Sequence, residues 1–585
     1  MKSIYLQFDF LNDQSCSFDS PIDVITTNDI NEIPALLRKM DQLKNQGYYL
    51  AGYVSYEAAP AFNPEYQVND KPSLPLLWFG VFENPQPIKE RQLNAYSTSD
   101  WKPLITKENF IKDIHIIQDY IRHHKTQQVN YTTRFQSSFD GDAYHYYTYL
   151  KKNQFASYSA YLELEDLRIL SLSPELFLKV DGKRIITKPM KGTMKRGLTY
   201  KEDEELKDSL YHSEKNRYEN EMVAELLKDE LSSITKSNSA TIEKKFEVET
   251  HPTIHQMTST VSGELKDDSS IFDWFQGLFP CASITGSPKV DTMEIIKELE
   301  DSPRDVYCGA IGYIAPDNTA IFNVPIRTVI IEENQAIYGS GSGVTSKSDP
   351  SQEYDEVIEK TKILTREHIQ VSLLESMRFE DGKIPRLSNH LKRLEQSTSY
   401  FQFPYDGEEI KDKIKGFTST LSEKSPSKIR LLLDEKGHID LEAVPITSLK
   451  TFRAKLAPEP IKKDNVFLYH KTTNRFVYDQ FDSNLPNGYH TSLLWNEDGN
   501  LTEFSIGNLV IEKNGNFFTP PVIDGLLPGV MRDNLLCKNK LIEKHINKKD
   551  LLEADHVYLI NSVRGWVRVE LEEQDISLNK THLLQ

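Results

Sequence analysis

The feature that most constrains this chain lies at residues 171–193, SLSPELFLKVDGKRIITKPMKGT. Two strand-like runs flank Asp181-Gly182, a dipeptide suited to the tight turn of a β-hairpin. Folding about that turn sets Glu175 opposite about Lys188, and Lys191 follows on the order of 10 Å further on, at ~3.3 Å per residue. A carboxyl and an amine are thereby carried to one end of a hairpin, where Gly192 permits close backbone approach. Alone, such a pair is an ordinary surface ion pair. Its meaning depends on what else in the chain converges on it.

The 585 residues are 38% hydrophobic, enough to bury several cores, and at roughly 100–200 residues per domain they predict about three to five domains or lobes. The formal charge of −18 is spread along the chain as a solvated surface. It repels phosphate backbones and excludes nucleic acid as a partner. Cys16, Cys281, Cys308 and Cys537 are too scattered for a disulfide framework or a CxxC metal site. The start, MKSIYLQFDFLNDQ, lacks the basic and then apolar pattern of a signal peptide. No apolar run reaches the ~18–20 residues that span a bilayer. A soluble cytoplasmic protein with no membrane partner is expected.

Along the chain, residues 1 to about 100 mix short strands with Asn- and Pro-rich turns. Residues 108–126 predict a helix through Phe110, Ile114, Ile117 and Ile121. A charged helix is expected over 201–234. Asp349, Pro350 and Gln352 have the pattern of a capping box opening a helix to about His368. VSLLESMRFEDGKIPRL after it reads as a hairpin turning at Asp381-Gly382. The main boundary is expected near residue 370, giving halves 1–369 and 370–585. The proline- and charge-rich APEPIKKDN divides the second half into lobes of about 370–457 and 458–585.

On the helix after Pro350, Glu353, Glu356 and Lys360 stand at i, i+3 and i+7 and share a face. Glu219 heads another helical stripe with Val223 and Leu226. If the three acids converge they make an oxygen-rich Mg²⁺ site.

From about residue 50 to 365 the chain resembles the chorismate-utilising enzymes, which include anthranilate synthase component I, para-aminobenzoate synthase component I, and isochorismate and salicylate synthases. SPELF, KPMKGT, SEKNRYEN, HQMTSTVSGEL, FPCASITGSPKVDTMEII, YCGAIGYI, NVPIRT, GSGSGV and EYDEVIEKTK carry the resemblance, in family order. It implies a β-sandwich flanked by helices. It implies that Glu219, Glu353 and Glu356 hold Mg²⁺, which receives one carboxylate of chorismate. Tyr313, Arg327, Gly341 and Gly343 are then expected to hold the other carboxylate, Arg327 through paired hydrogen bonds. Gly192, Thr193, Thr285, Gly286, His255 and Lys360 are expected to line the substrate. Asn216 departs from the acid that many relatives carry three residues before Glu219, and that thins the outer metal shell.

Within this family the third residue of the KPMKGT-like motif divides the reactions. It is alanine in anthranilate and isochorismate synthases and lysine in para-aminobenzoate synthases. Lys191 therefore implies attack on the ring by a neutral amine, with ammonia then entering at C4. Glu175 would protonate the departing hydroxyl. Gln128 occupies the place of the lysine base of the water-adding relatives and cannot take a proton from water. No cysteine sits in a G-x-C-x-G elbow, so ammonia is expected from a separate glutamine amidotransferase or from solution.

From about residue 373 the chain resembles the class IV aminotransferases, on RLSNHLKRL, YHKTTNRFVYD, GNLTEFSIGNLVI and LLPGVMR. The resemblance implies a two-lobed α+β fold that binds pyridoxal phosphate (PLP). Lys471 would link to the cofactor, Glu503 would pair with the pyridine nitrogen, and Arg393 with the backbone of Gly529, Val530 and Met531 would hold the phosphate. A homodimer through this half is one expectation. The usual D-R-G…G-D-G entry to the family is missing, so the synthase half is a candidate to supply packing there. A PLP lysine behind a C4-aminating site suits loss of the C3 enolpyruvyl ether as pyruvate, which leaves para-aminobenzoate. The rival readings are an anthranilate synthase component I fused to a PLP transaminase, against which Lys191 argues, and a synthase whose second half is an inactive regulatory domain, against which Lys471 and Glu503 argue.

Overall fold

The computed structural model describes residues 4–10, 15–154, 156–366, 369–422, 425–447 and 450–571. The chain forms two compact units. One comprises residues 1–196 and 207–368, and the other residues 197–206 and 369–585.

The first unit is built on two ten-stranded sheets. In one, the long strand Gln128–Gly141 pairs antiparallel with Gln335–Val344, from Ser138 opposite Gln335 to Val129 opposite Val344. In the other, Leu176–Asp181 and Arg184–Lys188 form the expected hairpin, with Asp181 opposite Arg184 and Leu176 opposite Lys188. The sheets meet through alternate apolar side chains: Leu6, Phe8 and Phe18 of one against Tyr53, Trp78 and Ile311 of the other. Helices cover both outer faces. Lys107–Arg122 buries Phe110, Ile114, Ile117 and Ile121 in a core shared with Tyr131 and Tyr338. Glu214–Ile234 and Ile271–Leu278 bury Val223, Leu227 and Trp274 in the core of the second sheet. This is the expected sandwich flanked by helices.

In the second unit a three-stranded sheet, Leu373–Phe379, Ser427–Leu433 and Ile439–Pro445, packs with helices Leu387–Phe401 and Gly407–Thr418 through Met377, Leu391, Ile410 and Ile429. A nine-stranded sheet follows, with a core of Phe452, Leu493, Leu501 and Leu559. Residues 197–206 join this unit: the Tyr400 hydroxyl donates to the carbonyl of Gly197 at 2.8 Å, and Leu198 packs on a cluster containing Leu468 and Tyr478.

Four local expectations are corrected. The charged helix is two, Tyr200–His212 and Glu214–Ile234, because the Ser213 side chain accepts from the N–H of Asn216 and starts a new helix. The helix from Pro350 ends at Glu359 and continues only as a short 3₁₀ turn, Lys362–Leu364; residues 367 and 368 lie outside the described residues. Its N-cap is Asp349, as expected. The turn at Asp381-Gly382 closes only a bridge between Glu380 and Lys383, since the chain enters a helix at Leu387. Leu373–Phe379 instead pairs with Ser427–Leu433, which buries both of its ends. Finally, strand Thr451–Leu456 already belongs to the nine-stranded sheet, so the second sheet begins ahead of residue 458.

Candidate active sites

In the first unit Glu175 stands at the entrance of strand Leu176–Asp181, 4% exposed. Its backbone is pinned by a hydrogen bond from its N–H to the Ser173 hydroxyl and by one from the N–H of Val324 to its carbonyl. Burial pushes its carboxyl up to about 7, while Ser283, which donates to Oε1 at 2.6 Å, and the Lys191 ammonium pull it back.

Lys191 lies in strand Met190–Lys195, where the register against Ile254–Glu264 slips between Met190 and Thr193. The slip is a bulge that re-aims the lysine. Asn220 Nδ2 donates to the Lys191 carbonyl at 3.1 Å and Gln256 Nε2 to that of Gly192 at 2.9 Å, which holds the bulge in place. Burial lowers the pKa of the Lys191 amine, Glu219 and Glu175 oppose that, and Lys360 adds to it. The glycine-rich strand supplies the facing wall. A Cβ built on Gly343 would lie 2.7 Å from Gln128 Nε2 and 3.2 Å from Lys191 Nζ, so the absent side chain is what makes room for both groups.

The remaining expected residues divide. Arg327 is half-buried with its backbone in the left-handed region (φ 52°). Desolvation lowers its pKa, and its guanidinium pairs with no carboxylate among the described residues. A partly desolvated guanidinium without a counter-ion suits an incoming carboxylate. Lys360 is tied by Nζ to the carbonyl of Gly341 at 2.8 Å and to Glu356 at 2.7 Å. His255 is fully buried beside the Thr250 hydroxyl. The Thr193 hydroxyl donates to Gln256 and that of Thr285 to the Cys281 carbonyl, while Gly286 pairs with Val129 at the end of the long strand. The half-buried Tyr313 packs its ring against Phe8, Phe10 and Phe18, with centroids 5.3, 6.1 and 5.9 Å away, beside the aromatic core of the sandwich. Alternation along strand Ala310–Ile314 turns it inward, because Ile311, two residues earlier, faces the same core.

Glu219 and Glu356 both act on the Lys191 amine. No group of three or more His, Cys, Asp or Glu among the described residues is gathered closely enough to hold a metal ion. Of the three expected ligands, Glu356 is paired to Lys360 at 2.7 Å.

The second unit holds a cavity of about 410 Å³ lined by Lys471, Glu503, Arg393, Gly529, Val530 and Met531 among others. All the expected cofactor residues thus face one space of ligand size. Glu503 accepts from the Tyr478 hydroxyl at 2.8 Å, the N–H of Leu527 at 3.1 Å and Asn508 Nδ2 at 3.2 Å. Burial nevertheless raises its carboxyl to about 7. Burial and Arg393 bring the Lys471 amine down to about 8. Gly529 caps helix Val530–Cys537, and a Cβ there would sit 1.9 Å from Asn508 Oδ1, so only glycine fits. These groups fit PLP: a lysine of lowered pKa, a buried carboxyl and a helix N-terminus in one cavity. Arg393 is gripped by Glu375 through Nε at 2.8 Å and Nη2 at 2.7 Å, with Nη1 on the Pro528 carbonyl at 3.2 Å. His390 shares the same carboxylate at 2.6 Å, and the Arg393 guanidinium with the His390 hydrogen bond holds Glu375 down to about 2 against the cost of burial.

Sequence reasoning missed Ser283, Asn220, Glu375 and Tyr478. The first two lie inside or beside quoted motifs, FPCASITGSPK and SEKNRYEN. Glu375 gave no signal, since an acid in a strand reads as exposed.

Residues 83–366 match the chorismate binding enzyme family, and residues 372–571 match the amino-transferase class IV family. The chain carries a domain of each, in that order. It is 34% identical over 270 residues to aminodeoxychorismate synthase component 1 of Escherichia coli, covering 46% of this chain and 60% of that one. It is 36% identical over 273 residues to the chloroplastic aminodeoxychorismate synthase of Arabidopsis thaliana, covering 46% and 30%. The chain thus spans between about a third and three fifths of the length of these relatives. In fold it is similar to anthranilate synthase component I from Streptococcus pneumoniae, at 23% identity and a TM-score of 0.52, over 62% of this chain and 90% of that structure.

Proposed function

We propose that this chain makes para-aminobenzoate from chorismate in two steps, amination to 4-amino-4-deoxychorismate in the first unit and release of pyruvate in the second. The observation that carries the first step is the pairing of buried Glu175, with a carboxyl raised to about 7, and half-buried Lys191, with a lowered amine, at one end of a hairpin. A neutral Lys191 attacks the ring of chorismate. The C4–oxygen bond breaks, and the hydroxyl leaves as water with the proton of Glu175. Ammonia then forms the C4–nitrogen bond, and the lysine departs with its electron pair. Arg327 would receive a substrate carboxylate, and Glu219, Glu353 and Glu356 are the residues that would hold Mg²⁺ to neutralise the other. The relatives named aminodeoxychorismate synthase support this reading.

Ammonia comes from a separate amidotransferase or from solution. The component 1 name of the Escherichia coli relative supports a separate partner. So do the thiols: burial raises Cys16 and Cys281 to about 12 and Cys308 to about 11, far from a nucleophilic thiolate. Four free cysteines favour a reducing, cytoplasmic setting.

In the second unit PLP supplies an electron sink for carbanion chemistry. Lys471, with its pKa near 8, is poised to remove the C4 proton. Glu503, fixed by the Tyr478 hydroxyl, would pair with the ring nitrogen of the cofactor. Loss of the C3 ether as pyruvate then aromatises the ring. The test is to incubate the purified chain with chorismate, Mg²⁺ and PLP, adding either ammonium or glutamine. Para-aminobenzoate and pyruvate should form with ammonium and not with glutamine alone. Anthranilate, or glutamine hydrolysis by the chain itself, would refute the reading.

A further inference from the structure

The wall of the second cavity carries a group of cations besides Arg393 and Lys471. Lys428, Arg430, Arg475 and Arg564 all line it. Arg430 and Arg475 have polar partners, and Arg564 lies only over the Phe452 ring, 5.7 Å from its centroid. Arg430 pairs with Glu442 at 3.0 Å, and Arg475 donates to the Ser505 carbonyl at 2.8 Å while lying over the Tyr478 ring. Lys428 and Arg564 pair with no carboxylate among the described residues, and Nε of Arg564 is buried without a hydrogen-bond partner. The deeper acids do not neutralise them. Glu375 is taken by Arg393 and His390, and Glu503 by Tyr478 and two further donors.

Arg564 is held in place. Asn561 Oδ1 accepts from the N–H groups of Val563 at 3.1 Å and Arg564 at 2.8 Å. The guanidinia of Arg378 and Arg386 donate to the carbonyls of Val563 at 2.9 Å and Ser562 at 3.3 Å. Three side chains thus fix one turn whose last residue offers an uncompensated cation. Burial, with Arg430 and Arg564 nearby, lowers the pKa of Lys428, so the group is crowded by like charge. Like charges held together around a cavity without counter-ions are stabilised by an anionic ligand.

We propose that Arg564 and Lys428 form an anion subsite that binds the carboxylates of a cyclic dicarboxylate amine and directs its amine toward Lys471. This deepens the lyase reading and rests on it. An ordinary amino acid carries one α-carboxylate beside its amine. A cyclic amine with two carboxylates remote from its nitrogen needs cations elsewhere in the cavity that holds Lys471, and Lys428 and Arg564 are two such cations without carboxylate partners among the described residues.

The test uses the full chain loaded with PLP. Benzene-1,3-dicarboxylate is titrated in, and the absorbance of bound PLP is followed. Wild type should show saturable binding, tighter than for benzoate. Arg564→Gln and Lys428→Gln should each weaken it by about tenfold or more, with PLP content unchanged, and Arg564→Lys should recover part of the loss. With aminodeoxychorismate as substrate the same variants should raise KM and change kcat little. No binding by wild type, or unchanged affinity in both glutamine variants, would overturn the subsite. Probe binding without pyruvate release from aminodeoxychorismate would refute the lyase reading alone.

Discussion

The Ser283 hydroxyl donates a 2.6 Å hydrogen bond to Oε1 of Glu175, a carboxyl that burial nonetheless raises to about 7. One neutral donor does not replace lost water, so Glu175 holds its proton up to about pH 7, well above where an exposed carboxyl releases it. This makes it an acid at the expense of stability. A shift from 4.5 to about 7 is worth about 3 kcal/mol at roughly 1.4 kcal/mol per unit. The folded pKa is raised, so this stabilisation is complete below 4.5 and is lost as pH rises through about 7. Glu175→Gln should therefore unfold at higher denaturant concentration than wild type at pH 8, with the gain shrinking toward pH 4.5, while amination falls by about 100-fold or more. Equal denaturation midpoints at pH 8 would contradict the buried, protonated carboxyl.

Lys191→Ala should reduce amination by about a thousandfold, since it removes the nucleophile, while chorismate still binds through groups such as Arg327. Amination by single turnover and chorismate binding by calorimetry check the two halves of this claim. Undiminished amination would exclude the covalent role.

Gly343→Ala tests the wall facing the lysine. The added methyl would come within 2.7 Å of Gln128 Nε2 and 3.2 Å of Lys191 Nζ. Amination should fall about 100-fold through displaced reacting groups, while pyruvate release from supplied aminodeoxychorismate is unchanged.

The short segment 197–206 tests how the second unit is completed. Tyr400→Phe removes the hydrogen bond to the Gly197 carbonyl and should cost about 1 kcal/mol. Leu198→Asp sets a charge against the cluster that contains Tyr478, the residue that holds Glu503. PLP release, followed by dilution, should be fastest in Leu198→Asp and intermediate in Tyr400→Phe. Release at the wild-type rate in both would mean that the segment is only decoration on the lyase fold.

Much of this was legible in the chain because periodicity and turn chemistry are local. The stripe Phe110, Ile114, Ile117 and Ile121 and the turn at Asp181-Gly182 predict their elements directly. The break at Ser213 was not, since a charged run without glycine or proline looks continuous until the serine is seen to cap. The packing of the Tyr313 ring on three phenylalanines was not legible either, because the face of a strand that a residue takes depends on register. The bulge at Lys191 and the Glu375–Arg393 grip depend on pairs distant in sequence, Asn220 and Gln256 for the first and two separate elements for the second.

The central claim is that two reactions run in order on one chain, and Lys471→Ala tests it most directly. Wild type and variant are given chorismate, ammonium, Mg²⁺ and PLP, and the products are separated and identified by mass. The variant should consume chorismate at the wild-type rate and accumulate 4-amino-4-deoxychorismate, while wild type yields para-aminobenzoate and pyruvate. Para-aminobenzoate at the wild-type rate from Lys471→Ala would contradict the account.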